Sequence, residues 1–317
     1  MTAFASAADD DDKPVRFEEL VPGRAYAFTA AGDPNTGVII GKHGVMVVDT
    51  QATPLMAGAV IARIRDVTDL PVTHILLSHY HAVRVLGASA FGAHSIIASA
   101  GTLDLIRERG EADKASEIGR FPRLFRGVES IPPGLTWPDT VFDGALTIDL
   151  GDCPVVISHP GRGHTAGDTI AWLPEHRVLF AGDLVEWKTA CYSGDAHLAD
   201  WPGTLDRLAA MEAAALVPGR GDALIGRAQV DAGIAATRAF VTDLYETTRR
   251  FAVNGRPLGE VYREVMAAMT PAYGDWFLFQ HCMPFNVSRA FDEAIGVAHP
   301  RIWTAERDRE MWSALAG

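Results

Sequence analysis

The stretch Thr73-His-Ile-Leu-Leu-Ser-His-Tyr-His-Ala-Val-Arg84 decides the reading of this chain. Thr73 to Ser78 is short and apolar, like a buried strand. Two histidines follow at i and i+2. In extended backbone alternate side chains share a face, so His79 and His81 can converge on one cation. Imidazole suits zinc, iron and similar borderline metals. A third histidine sits in Gly161-Arg-Gly-His-Thr-Ala-Gly-Asp168, ahead of a strand expected from Thr169. Val178-Leu-Phe-Ala-Gly-Asp183 reads as a strand that delivers a carboxylate at its C-terminal end, where rigid scaffolds present reactive groups. His-x-His alone is common, and the information lies in its conjunction with the two later segments.

Around this centre the patterns alternate. Ala25 to Ala30, Thr36 to Ile40 and Gly44 to Asp49 are β-rich runs separated by Gly and Asp-Pro-Asn turn signals. Pro54 to Arg65 has helical periodicity, and Val83 to Phe91 and Thr102 to Arg109 are expected helices. Leu146 to Leu150, Val155 to Ser158, Thr169 to Leu173 and Val178 to Phe180 are expected strands. From Trp201 the character is helical: Trp201 to Ala214, Gln229 to Phe251, Leu258 to Met269, Val287 to Ala294 and Ala305 to Leu315. These runs predict a sheet-on-sheet core with helices outside.

Composition excludes several classes. The 317 residues carry 28 Lys+Arg against 40 Asp+Glu, a net charge of −12, so the basic footprint of a nucleic-acid binder is missing. No apolar run approaches the ~18–20 residues that span a bilayer. Three cysteines (Cys153, Cys191 and Cys282) make no disulfide framework, and the first residues lack a basic and an apolar region of the signal-peptide kind. A cytoplasmic location is the expectation. The stretch 1–14, with Asp9 to Asp12 in a row, is expected to be a disordered acidic tail.

The order Asp49, His79-x-His81, Gly163-His-Thr-x-Gly-Asp168, Gly182-Asp183 and Val217-Pro-Gly-x-Gly221 resembles the metallo-β-lactamase superfamily over about residues 24 to 225. The resemblance implies an αββα sandwich of the α+β class over residues 15–228, with residues 229–317 as a helical extension or cap. It also implies a metal held by His79, His81 and His164 at one edge of the two sheets. Three neutral imidazoles and an open place for water form the hydrolytic zinc arrangement.

The departures are informative. The superfamily usually writes His-x-His-x-Asp-His, and here Val83 and Arg84 stand at the last two positions. Arg220 replaces the usual histidine of Val-Pro-Gly-His-Gly. Of the second metal position only Asp183 survives, so one ion is expected rather than two. Arginine offers no lone pair. Its expected roles at position 220 are to pair with Asp183 in place of the second cation and to give electrophilic support. Arg84, which one lactamase subclass also carries, is expected to bind a substrate carboxylate, to stabilise an oxyanion or to pair with a structural aspartate. Asp49 and Asp168 are expected to fix turns or orient a ligand histidine. Trp187, Cys191 and Tyr192 follow Asp183 and are candidates for lining the pocket. His281, in Gln280-His-Cys-Met-Pro284, is a candidate extra ligand or acid/base group, with a core or capping residue as the alternative.

Three functions are open on these residues. One is a mononuclear zinc hydrolase of a small, carboxylate-bearing ester, lactone, thioester or amide, with Asp183 orienting water or acting as base. A second is a non-haem iron(II) oxygenase on His79, His164 and Asp183, a 2-His-1-carboxylate set; the superfamily includes sulfur dioxygenases. A third is a ligand-binding descendant that has lost catalysis, as Val83, Arg84 and Arg220 suggest. The expected partner is a small-molecule substrate, without nucleic acid or membrane, and a homodimer through the C-terminal helices is the expected assembly.

Overall fold

Two sheets form because the β-rich runs fall in two blocks, each bounded by turn residues. The computed structural model describes residues 14–316, so the expected acidic tail lies almost wholly outside the described residues. In the first sheet β1 (Arg16–Val21), β2 (Ala25–Ala30), β3 (Asp33–Gly41), β4 (Gly44–Val48), β5 (Val72–Leu76), β6 (Ser95–Ser99) and β7 (Thr140–Phe142) lie side by side in chain order. The hairpin pairs β1 to β4 are antiparallel, and β4 to β7 run parallel. The second sheet holds β8 (Ala145–Asp149), β9 (Pro154–Ser158), β10 (Ile170–Leu173), β11 (Val178–Gly182), β12 (Ala215–Pro218) and β13 (Leu224–Ile225), again in chain order, with β11 and β12 parallel.

The facing sheet surfaces bury Ile39, Met46, Val48, Leu76 and Ile97 against Val155, Ile157, Leu173, Phe180 and Val217. The sheets approach so closely at Gly37 that a Cβ there would collide with the Phe180 ring. The outer face of the first sheet is covered by α1 (Pro54–Arg65), α2 (Ala82–Val85) and α3 (Ala100–Arg120). The outer face of the second is covered by α4 (Trp201–Ala210) and α5 (Arg227–Ala252), with α6 (Leu258–Tyr273) and α7 (Phe279–Ala294) packed in the same cluster and α8 (Ala305–Ala316) against α6 and α7. This is the αββα sandwich with C-terminal helices. Among the described residues, no helix is long and apolar enough to cross a membrane.

The structure corrects several element boundaries. The helix expected at Val83 to Phe91 breaks after α2, because the Gly87 N–H turns away to the Gln51 carbonyl. The helix expected at Thr102 to Arg109 runs from Ala100 to Arg120, started by Ser99, whose Oγ accepts the Thr102 N–H. The helix expected to reach Ala214 stops at Ala210, and Ala215–Pro218 becomes a strand beside β11. Strands β1, β6, β7, β12 and β13 lie outside the runs expected from the sequence, and α7 starts at Phe279 rather than Val287.

Candidate metal centre

Each sheet contributes a pair of parallel neighbours, β4 with β5 and β11 with β12, and the ends of these strands carry the site. Asp49 follows β4, His79 and His81 follow β5, Asp183 follows β11 and Arg220 follows β12, while His164 lies in the loop from β9 to β10. All six side chains are buried. One nitrogen from each of His79, His81 and His164 falls within 4.8 Å of the others.

Hydrogen bonds aim these nitrogens. Asp49, held at a left-handed φ of 62°, accepts the Ser78 N–H at 2.8 Å and the Ser78 hydroxyl at 2.7 Å. Ser78 Oγ lies 2.9 Å from His79 Nδ1. With its proton given to Asp49, the hydroxyl must accept from Nδ1, which leaves the His79 Nε2 lone pair directed into the site. That Nε2 is buried and has no hydrogen-bond partner among the described residues, the condition a cation would relieve. His81 Nε2 sits 3.2 Å from Asp195 Oδ2, and Arg109 supports Asp195 at 3.0 Å. His81 Nδ1 then meets His164 Nε2 at 3.0 Å. Two lone pairs cannot face each other at that distance, so a proton or a cation lies between them. Asp168 fixes the loop of His164 by accepting the Thr165 N–H at 3.0 Å and the Thr165 hydroxyl at 2.6 Å.

The protonation pattern follows from this packing. Burial, with His164 and His81 adding, pushes His79 well below its ordinary value. Burial also pushes His164 down to about 3, against the pull of Asp183. Burial opposes the charged form of His81 too, yet Asp113, Asp195 and Glu117 outweigh it and raise it to about 9. Without metal the cluster therefore carries its extra proton on His81 beside two neutral imidazoles, a donor set that fits a divalent borderline metal, which would displace the Nδ1 proton of His81 and leave Nε2–H on Asp195.

The structure corrects the expected pairing of Asp183. Its Oδ1 is bound by the Arg84 guanidinium, not by Arg220. Arg84 is fully buried and also donates to the Asn35 carbonyl at 3.2 Å, so it backs Asp183 from within the core. Burial disfavours an ionised Asp183, but Arg84 first and His164 next hold its pKa below the usual carboxylate range. Asp183 Oδ2 faces the histidines, 3.7 Å from His79 Nε2 and 3.5 Å from His164 Nε2. Arg220 donates to the Gly32 carbonyl at 3.0 Å and lies 3.9 Å from Glu186. Glu186 is buried, and burial and Asp183 raise its pKa well above normal.

A chamber opens on the histidines, walled by His81, His164, Asp183, Arg220, Glu117 and Tyr192, with Val83, Phe121, Ala190, Leu278 and Cys282 as its apolar side. About 20 Å³ is free for the centres of water-sized molecules, room for a water or two. Of the candidate lining residues, Tyr192 is in the wall. Cys191 is sealed in the core behind it, Trp187 packs against the helical cluster, and His281 leans on the Phe121 ring, tilted by 47° with centroids 4.2 Å apart. His281 is thus a core residue behind the chamber wall. Glu117, Phe121, Asp195 and Leu278 were missed by the sequence reading. The only trace of Glu117 is helical spacing, for the buried Arg109, Asp113, Glu117 and Arg120 form one stripe of α3.

The comparisons agree with this geometry. The model of the metallo-beta-lactamase superfamily matches residues 29–220, and the chain belongs to that superfamily. It is 25% identical over 197 residues to a metallo-beta-lactamase type 2 from Bacteroides fragilis, covering 60% of this chain and 70% of that protein. It is 21% identical over 283 residues to a linear primary-alkylsulfatase from Pseudomonas sp. (strain ATCC 19151), covering 76% of this chain and 52% of that protein. The solved metallo-beta-lactamase from Pontibacter korlensis superposes with a TM-score of 0.57 at 20% identity, over 72% of this chain and 99% of that one; at that identity the likeness concerns the fold.

Proposed function

We propose that this protein is a mononuclear zinc hydrolase that cleaves an ester, lactone, thioester or amide of a small, anionic substrate. The observation that carries the reading is the convergence of three buried imidazole nitrogens within 4.8 Å, each aimed by the architecture around it, with His81 and His164 in the wall of a small chamber that also holds two carboxylates and a guanidinium. A divalent ion on these nitrogens supplies Lewis acidity and lowers the pKa of a water towards neutrality. The protein's own groups do the rest. Asp183, fixed by Arg84, turns Oδ2 towards the histidine nitrogens and steers water there. Arg220 in the opposite wall favours a substrate carboxylate or the charge that develops on the attacked carbonyl oxygen. Leu278 and Cys282 reach the chamber from the C-terminal helices, which supports residues 229–317 as the part that selects the substrate.

The test is elemental analysis of protein purified without added metal, with His81→Ala and Asp183→Ala beside it. One zinc per chain, lost in His81→Ala and kept in Asp183→Ala, is expected. The zinc-loaded enzyme is then assayed on p-nitrophenyl acetate, a thioester, a lactone and nitrocefin, with p-nitrophenyl sulfate added because one relative is an alkylsulfatase. Absence of bound metal, or no turnover of any probe, defeats the reading. The position of Asp183 Oδ2 near His79 and His164 favours iron(II) as the second reading. One iron, lost in Asp183→Ala but tolerant of His81→Ala, is its signature.

A further inference from the structure

We propose that Glu117 is a catalytic residue of this site, holding the attacking water and accepting its proton; the inference rests on the hydrolase reading above. Two carboxylates wall the chamber, Glu117 and Asp183. Asp183 gives one oxygen to a buried guanidinium, so its charge is matched and half its capacity is used. Glu117 is placed differently. Its Oε2 accepts the Val83 N–H at 2.9 Å, which fixes the carboxylate, and Oε1 is bonded to no described residue although the side chain stands in the wall. One turn earlier on α3, Asp113 Oδ2 accepts the Ala82 N–H at 2.8 Å. The loop that carries His81 is therefore clamped to α3 by two carboxylates, and only the second of them reaches the chamber.

The size of the chamber sharpens the argument. With about 20 Å³ for water-sized centres, and His81, His164 and Glu117 all in its wall, the same small space serves the imidazoles and this carboxylate. Val83, in the short helix α2 that follows His81, offers no polar side-chain atom, so α3 brings to this corner the carboxylate that α2 lacks. Preorganisation by a backbone N–H suits a group that must aim at one small volume.

The step balances simply. The water oxygen bonds to the electrophilic carbon while one of its protons passes to Glu117 Oε1. When the bond from that carbon to the leaving oxygen, sulfur or nitrogen breaks, the leaving atom keeps the electron pair and takes the proton from Glu117. The carboxylate is then ionised again.

Two measurements test this on the full chain. A crystal structure of the zinc-loaded protein should show an ordered water within hydrogen-bond distance of Glu117 Oε1. In Glu117→Gln the amide oxygen keeps the Val83 contact, so zinc content and melting temperature should hold while kcat on p-nitrophenyl acetate, or on whichever probe of the panel is turned over, falls roughly 10²–10⁴-fold, the range of general-base catalysis. A zinc-loaded structure whose water bonds Asp183 and not Glu117 overturns the proposal, even if the variant fails to fold. An active wild type with an equally active Glu117→Gln sinks the role of Glu117 and leaves the hydrolase reading standing. A zinc-loaded wild type inert on every probe sinks both.

Discussion

Replacing Arg84 with leucine tests whether this guanidinium serves the site as a built-in counter-cation. Arg84 is fully buried and Asp183 nearly so, so Arg84→Leu strands a carboxylate out of water. Breaking a buried pair from one side costs about 3–5 kcal/mol. A Coulomb estimate at ~4 Å and an effective dielectric of ~20 gives about 4 kcal/mol, in the same range. The lost bond to the Asn35 carbonyl adds about 1 kcal/mol, and Arg220, the other cation acting on Asp183, offsets part of the total. At about 2 °C per kcal/mol for a chain of this size, the metal-free variant should melt roughly 6–10 °C lower. Zinc should repair much of this, because Asp183 Oδ2 already lies 3.5 Å and 3.7 Å from two of the ligand nitrogens and a divalent ion there takes over the compensation. Zinc should thus stabilise Arg84→Leu more than it stabilises the wild type. Arg84→Leu/Asp183→Asn, with both charges gone, should recover most of the loss without metal. Thermal unfolding by near-UV circular dichroism, in chelator and with equimolar zinc, reads all three quantities. A single variant within 2 °C of wild type in chelator, or a double variant no more stable than the single, would refute the reasoning.

Three further outcomes follow from the same contacts. Gly219→Ala places a Cβ on Asp183 Oδ1 and 2.9 Å from Arg84 Nη2; it should cost about 1–3 kcal/mol as overpacking does and impair turnover with the three histidines untouched, whereas unaltered melting and kcat would show that the pair yields freely. His281 is pushed down to about 3 by burial, with Arg120 and Arg220 adding; because its folded value lies below the unfolded ~6.5, its contribution is intact above pH ~6.5 and is lost as pH falls towards 3, reaching about 3 kcal/mol at pH ~4.5. Urea midpoints of zinc-free His281→Gln should therefore fall less steeply than wild type between those pH values, and parallel curves would contradict the assignment. Leu278, held at a φ of 62°, narrows the chamber; Leu278→Ala should raise kcat/KM for p-nitrophenyl butyrate relative to the acetate several-fold, and an unchanged ratio would remove the helical cap from substrate selection.

The parts of the site that could be read in sequence are those delivered by strand ends. Thr73 to Ser78 is apolar at strand length and is followed by histidines at alternate positions, so the period of the backbone itself brings His79 and His81 together. Val178 to Asp183 works the same way. Short or charged strands were invisible for physical reasons: β1 (Arg-Phe-Glu-Glu-Leu-Val) carries charges where an apolar alternation would show and gains its order from the hairpin with β2, while the three-residue β7 pairs with β6, about forty residues earlier, which no local period records. The pairing of Asp183 was misassigned because both arginines were equally plausible on charge, and only the fold decides that Arg84 lies beneath the site while Arg220 faces the chamber. Glu117 illustrates the remaining limit. Arg109, Asp113, Glu117 and Arg120 occupy one stripe of α3, and a charged helical stripe ordinarily signals the solvent side. Here that stripe turns inward, where Arg109 meets Asp195, Asp113 and Glu117 clamp the His81 loop, and Arg120 donates to the Tyr192 hydroxyl at 3.2 Å. Burying four charges on one helix face is costly unless partners are supplied, and here each of the four has a partner at the histidine site: Asp195 beside His81 for Arg109, the Ala82 and Val83 N–H groups after His81 for Asp113 and Glu117, and the Tyr192 wall for Arg120. The cost is explained if α3 serves the chemistry, and that is the reason to look for the missing base on this helix rather than on α2, where Val83 stands.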